Sequence, residues 1–279
     1  MLRRCFIYTP LLILTAITLV PFAYLVCSAF KTSDAFFTSP FLPMGDGFLG
    51  IAWDQLTLLH FKRLFGEENF ARYILNSVFL ASVTSTLSTL CAAMGGYALA
   101  KFHFRGRDTI TNMVLILLIV PGALLFAPSY QLLYWFGMLD TFPGMIVPAL
   151  APAFGVYLFR QAMISSLPDE MLEAGRIDGC GEFRLFFSFA LPMVRPMVGT
   201  FILITFLGTW NNFIGPQNIL KSPEKFPLSV AVAQLRSEYG QDYGMLMAGT
   251  LVSIIPVMAL FLMLQREFVE GLTSGAVKG

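Results

Sequence analysis

Met113-Val114-Leu115-Ile116-Leu117-Leu118-Ile119-Val120 is a run of large apolar residues without alternation. A strand of a membrane barrel alternates apolar and polar residues over segments of about 10, because one face looks into a wet lumen. This run has no polar face, so it is helical. It lies inside an interval, residues 109 to 139, that contains no Asp, Glu, Lys or Arg. Five more such intervals occupy 5 to 30, 73 to 100, 141 to 159, 196 to 220 and 243 to 265, and the shortest of the six has 19 residues. A helix needs about 20 apolar residues to cross a hydrocarbon core about 30 Å thick, so each interval holds one span. The chain is therefore expected to be an all-α integral membrane protein. One transmembrane domain covers 1–279, with spans at about 6–30, 73–100, 110–135, 142–164, 196–216 and 243–265.

Composition agrees. Of 279 residues, 56% are hydrophobic and 13% charged, against about 25% charged in soluble chains. Arg3 and Arg4 before an apolar stretch also fit a secretory signal, with Cys27, Ser28 and Ala29 as a weak cleavage site. A signal's apolar region runs only about 7–15 residues, so the first span is expected to stay as an anchor. Cys5, Cys27, Cys91 and Cys180 show no paired spacing, which predicts neither a disulfide framework nor a metal site.

With the N-terminus in the cytoplasm, Arg3, Arg4, Lys101, Arg105, Arg107, Arg160, Arg176, Arg184, Arg195, Arg266 and Lys278 lie inside. Lys31, Lys62, Arg63, Arg72, Lys221, Lys225 and Arg236 lie outside, in the long segments 31 to 72 and 217 to 242. The positive-inside rule then places both termini in the cytoplasm. The cluster Lys101, His103, Arg105 and Arg107 weighs most, and it reads as a topology signal. A net charge of +1 points to no nucleic-acid partner.

No Asp, Glu, Lys or Arg sits deep in a span, although proton- and ion-coupled carriers place relays or ion ligands there. That disfavours the alternative class, a stand-alone secondary carrier or channel for a small polar solute. His60 and His103 fall in different loops, so catalysis has no support. Helix-distorting prolines are frequent: Pro10, Pro21, Pro121, Pro128, Pro143, Pro148, Pro152 and Pro256. They free backbone groups that a packed or wet interior must satisfy, as in a moving pathway. The small and hydroxylic stretch Ala81 to Gly96 permits close helix approach. Tyr130, Gln131 and Tyr134 in span 3 either pack or offer stacking and hydrogen bonds to a sugar.

The connection between spans 4 and 5, about 165–195, is strongly patterned. Pro168 suits a first helical turn, Ser165 or Ser166 a cap, and Asp169 and Glu170 the positive helix end. A short helix through Met171, Leu172, Glu173, Ala174, Arg176 and Ile177 then ends at Gly179 and Gly181. Glu173 and Arg176 are i,i+3 neighbours. Met171, Leu172 and Ile177 are expected to leave apolar surface outside the membrane, as a docking helix does.

Glu173-Ala174-Gly175-Arg176-Ile177-Asp178-Gly179-Cys180, followed by Phe186, Leu191-Pro192 and Pro196, resembles the EAA loop of binding-protein-dependent ABC transporter permeases. Gly175 and Cys180 stand where the family usually has alanine. The ending Gln265-Arg266-Glu267-Phe268-Val269-Glu270-Gly271-Leu272-Thr273-Ser274-Gly275-Ala276-Val277-Lys278-Gly279 is similar to the tail of the carbohydrate-importer branch, specifically the second permease subunit of maltose-type systems. Ile74-Leu75-Asn76-Ser77, Tyr97-Ala98-Leu99-Ala100-Lys101-Phe102 and Trp210-Asn211-Asn212-Phe213 also look like that branch. Segment 31 to 72 matches least, and Asn212 replaces a common Asp.

The resemblance implies a six-helix importer permease in the inner membrane of a bacterium. It would form a heterodimer with a second permease and work with two cytoplasmic ATPase subunits that hold ATP and Mg. An extracytoplasmic binding protein would deliver a di- or oligosaccharide. This chain would bind no cofactor, and it has no Gly-x-x-x-x-Gly-Lys-Ser/Thr phosphate loop. Glu173, Ala174, Gly175, Arg176, Asp178, Gly179, Pro192 and Pro196 would form the ATPase coupling loop. Gln265, Arg266, Phe268, Gly271, Thr273, Gly275, Lys278 and Gly279 would reach between the ATPase subunits. Segment 217 to 242 would meet the binding protein. Trp210, Asn211 and Asn212 read either as pathway residues or as an aromatic anchor with capping amides.

Overall fold

The computed structural model describes the backbone of residues 2–238 and 242–276, with side chains for 8–236, 242–263 and 265. Helix α1 (Leu2–Ala29) contains Pro10 and Pro21. Short helices α2 (Ser33–Thr38) and α3 (Leu59–Gly66) follow, then α4 (Phe70–Lys101), a single helix of 32 residues. The third charge-free interval forms α5 (Arg107–Ile119) and α6 (Phe126–Trp135), and the fourth forms α7 (Phe142–Ile146) and α8 (Ala153–Ser166). Next come α9 (Asp169–Ile177), α10 (Glu182–Leu185), a π-helical turn Phe186–Ala190 and α11 (Leu191–Met193). The rest is α12 (Arg195–Trp210), α13 (Ile214–Ile219), α14 (Leu228–Glu238) and α15 (Tyr243–Ala276).

Three unbroken helical stretches, Tyr8–Ala29, Phe70–Lys101 and Tyr243–Met263, are long and apolar enough to cross a membrane. With each of three bent pairs taken as one span, the number is up to six among the described residues. The expected third span, 110–135, is broken: its halves, Arg107–Ile119 and Gly122–Trp135, meet at 101°. Pro121 has no amide hydrogen and pushes Val120 out of the helical region, to φ −73° and ψ 120°. The fourth is bent by 43°, where Pro152 stands extended before α8. The fifth differs most from 196–216. Its helix stops at Trp210, α13 is separate, and Glu182–Met193 leads into it at 83°.

The chain divides into two compact units, Met1–Ile74 with Leu228–Pro256, and Leu75–Pro227 with Val257–Gly279. In the first, segment 31 to 72 is held by polar contacts. Lys31 is fully buried, donates to Ser39 O at 2.7 Å and lies 5.6 Å from the centre of the Tyr24 ring. His60 Nε2 is 2.9 Å from Lys31 O, and Arg63 donates to Asp242 at 3.0 Å. Asp242 also accepts from Met245 N, starting α15.

In the second unit, α4, α8, α9, α10 and α12 share an apolar core that includes Ala92, Tyr97, Phe159, Leu172, Leu185 and Phe201. The small stretch of α4 closes the approach to α8. A Cβ at Gly96 would lie 2.6 Å from Phe159 Cβ and 2.7 Å from Arg160 N. Gly96→Val is accordingly expected to destabilise the protein by about 1–3 kcal/mol through overpacking, read as a lower thermal unfolding midpoint in detergent.

Candidate coupling site

The patterned connection builds its site on α9, which begins where Pro168 is still extended at φ −65° and ψ 141°. Ser165 and Ser166, expected as caps, end α8 instead, and Ser165 Oγ bonds back to Ala162 O. The start of α9 is served by Lys101, whose ammonium donates to Asp169 Oδ1 at 2.7 Å and to Leu167 O. That ammonium holds the Asp169 carboxyl below its ordinary range, so a full negative charge faces the positive end of the helix. At the other end Gly179 has φ 79°, a left-handed conformation that glycine adopts without cost. It lets Cys180 N donate to Gly175 O at 2.9 Å. Gly181 is extended and opens α10 rather than closing α9.

The two faces of α9 differ sharply. Leu172 and Gly175, three residues apart, point into the core. A Cβ at Gly175 would lie 2.5 Å from Leu185 Cδ2. Leu172 is thus not exposed apolar surface, and the small residue at 175 serves close packing within the chain. The outward face carries Glu173, Ala174, Arg176 and Asp178, together with Met171 and Ile177, the latter 87% exposed. Arg176 does not pair with Glu173 as expected. Its Nε and Nη2 lie 2.7 and 3.4 Å from the carboxylate oxygens of Glu182, to which Tyr97 Oη also donates at 3.2 Å. The reversal at Gly179 returns the chain under the end of α9, which places Glu182 closer to Arg176 than helix geometry places Glu173. Pro192 and Pro196 flank the 83° bend, in α11 and the first turn of α12, and are not on α9.

Residues 92–269 match the family described as binding-protein-dependent transport system inner membrane component. The chain belongs to this family. It is 38% identical to the arabinooligosaccharides transport system permease protein AraQ of Halalkalibacterium halodurans, over 80% of each chain. It is 32% identical to the diacetylchitobiose uptake system permease protein NgcG of Streptomyces coelicolor, over 96% of this chain and 87% of the other. In fold it resembles a chain in the crystal structure of a bacterial ABC transporter involved in the import of the acidic polysaccharide alginate. The TM-score there is 0.81 at 21% identity, covering 95% of this chain and 97% of that one. The permease is a transport subunit and not an enzyme.

The other residues that the sequence singled out fall on separate elements. Gln265 is exposed on α15, with Nε2 donating to Leu262 O. Arg266, Phe268, Gly271, Thr273 and Gly275 continue the backbone of α15, but their side chains, and all of Lys278 and Gly279, lie outside the described residues. Tyr130 is half-buried and Gln131 exposed on α6, with Tyr134 64% exposed. Trp210 is buried and stacks on Phe206 at 5.7 Å. Asn211 Nδ2 donates to Leu207 O at the end of α12, and Asn212 Oδ1 accepts from Gly215 N at the start of α13. These amides cap helices, while Asn212 also lines a cavity of about 60 Å³ with Ser77, Thr84 and Thr209.

Asp140, between the third and fourth charge-free intervals, was not singled out by sequence. Its φ of 56° turns the chain, and its carboxylate accepts from Lys221 N, Ser222 N, Ser222 Oγ and Lys225 Nζ. The bonds from Ser222, then Lys221 and Lys225, hold this carboxyl far below its ordinary range. A depressed folded value gives stability that is complete above the unfolded value of about 3.9. It is lost as pH falls through the folded value. Asp140→Asn is therefore expected to lower the unfolding midpoint at neutral pH, and the gap to the parent should narrow only below about pH 4. Melting curves across pH check this.

Proposed function

We propose that this permease is one of two related but non-identical membrane subunits forming the pathway of an ATP-driven, binding-protein-dependent importer of oligosaccharide. The observation that carries the coupling part is the split character of α9. Its inner face is locked into the core by Leu172 and Gly175, while Ile177 and Met171 stand exposed among charged residues. Exposed apolar residues set among charged ones on a short helix fit a protein docking surface. The occupant is one of two cytoplasmic ATPase subunits, which bind ATP and Mg. The 265–279 tail reaches toward the same subunits. Closure of the ATPase pair moves the spans as rigid bodies and gives alternating access.

The carbohydrate class is supported by the relatives, whose names give arabinooligosaccharides, diacetylchitobiose and, at 33% identity, lactose as transported solutes. In this proposal the chain works as one multi-pass domain of a bacterial inner membrane, with both termini cytoplasmic. Segment 217–242 faces the binding protein. Tyr130, Gln131, Trp210, Asn211 and Asn212 line or support the pathway.

Reconstitution with the cognate partners tests it. Labelled oligosaccharide should enter proteoliposomes only when ATP, both ATPase subunits and the loaded binding protein are present. Uptake by this chain alone, without an ATPase, would establish a stand-alone carrier instead. The ligand of the cognate binding protein names the sugar.

A further inference from the structure

Helix α4 carries, near each end, side chains bonded to segments distant in the sequence. At its inner end, Tyr97 and Lys101 are one turn apart and share a face. Lys101 has a side chain only 6% exposed, and its ammonium bonds Asp169 and Leu167 O at the start of α9. Tyr97 bonds Glu182, which in turn holds Arg176 near the end of α9. Both ends of α9 are thus tied to one turn of α4, and Leu172 shares an apolar core with Tyr97.

At the outer end, Asn76 Nδ2 donates to Glu224 O at 2.9 Å and to Phe226 O at 3.0 Å. Lys225, between them, donates to Asp140. Asn76 and Lys101 are 25 residues apart in one unbroken helix, which is about 37 Å at 1.5 Å per residue. The third, fourth and fifth spans are bent by 43–101°, whereas helix α4 runs unbroken between these two contacts.

We infer that α4 is the strut that delivers movement of the coupling helix to segment 220–227, with Tyr97 and Lys101 as positioning residues at one end and Asn76 at the other. This rests on α9 being the ATPase contact proposed above. Displacement of α9 pulls α4 through two polar ties at once, and Asn76 passes it to the carbonyls of Glu224 and Phe226. Engagement of a binding protein on that segment travels back the same way, since coupling between sites is reciprocal.

The test is a double-mutant cycle in the reconstituted transporter, reading the factor by which loaded binding protein stimulates ATP hydrolysis. Lys101→Met is expected to cut that factor on the order of tenfold, as for losing a charge-assisted hydrogen bond. Lys101→Arg should restore much of it. Asn76→Leu should cut it several-fold. Sites this far apart ordinarily act independently, so independent roles predict that the double variant shows the product of the two losses. A single strut predicts that it falls no further than Lys101→Met. The product, or a Lys101→Met complex with the parental factor, overturns the inference. Should Lys101→Met not assemble, Tyr97→Phe, which removes one hydroxyl and keeps the ring, takes its place. Co-purification separates the two levels: ATPase subunits that stay bound to an Ile177→Asp permease refute the docking site, whatever the cycle shows.

Discussion

Ile177→Asp is expected to leave the permease folded and inserted but to reduce ATP-driven uptake to background. Ile177 is 87% exposed, so the folded chain loses almost no packing when it becomes polar. Surface changes of this kind usually cost within about 0.5 kcal/mol. The loss falls on the complex, where an apolar anchor seated in a pocket is worth about 2 kcal/mol or more. Aspartate would also have to be desolvated there without a partner. The expected result is a parental unfolding midpoint, failure of the ATPase subunits to co-purify, and no uptake. Parental uptake would remove α9 as the coupling surface.

Gly175→Asp, two residues away, is expected to fail in another way. Position 175 faces inward, and even a Cβ would come within 2.5 Å of Leu185 Cδ2, on a residue with no solvent exposure. A carboxylate there is both overpacked and buried without a partner, and breaking or omitting a buried charge's partner costs about 3–5 kcal/mol. That is a large part of the 5–15 kcal/mol that typically holds a protein folded. The expected result is a lowered unfolding midpoint and little permease in the membrane, rather than a folded permease that has lost its partner. Gly175→Ala should lie between, since Leu185 must give way by a fraction of an ångström. A Gly175→Asp permease with parental stability but no bound ATPase would place position 175 on the docking face.

Neighbouring positions with opposite outcomes show where sequence reading stopped. Met171, Leu172 and Ile177 look alike as apolar residues on a short amphipathic helix, and all were expected to face out. Helical periodicity places residues on faces, but which face is buried depends on what packs there. Leu172 is buried in a core cluster that includes Leu185, Phe186 and Tyr97 from other elements. The same limit applies to charge. Arg176 has Glu173 at helical spacing, yet it pairs with Glu182, because the left-handed turn at Gly179 returns the chain to it. Lys101 read as a topology signal, but its side chain is buried and bonded to Asp169, 68 residues further on. The prolines foretold distortion, and the break at Pro121 bears that out. That the two halves diverge by 101° is set by the surrounding packing and not by the proline alone.

The sequence by itself determined the all-helical membrane class, the six apolar stretches and the EAA-type connection. Each follows from local properties: the apolar length that a bilayer demands, and a set of residue types at fixed spacing within one segment. Tertiary structure alone decided which apolar stretches stay unbroken, which side of α9 is exposed, and that α4 is bonded near both ends. Those features depend on residues such as Tyr97 and Glu182, or Asn76 and Phe226, which lie 85 and 150 positions apart. Such pairings have no local pattern. They arise where the packed chain brings a polar group and a partner within reach, as it does for most buried polar groups.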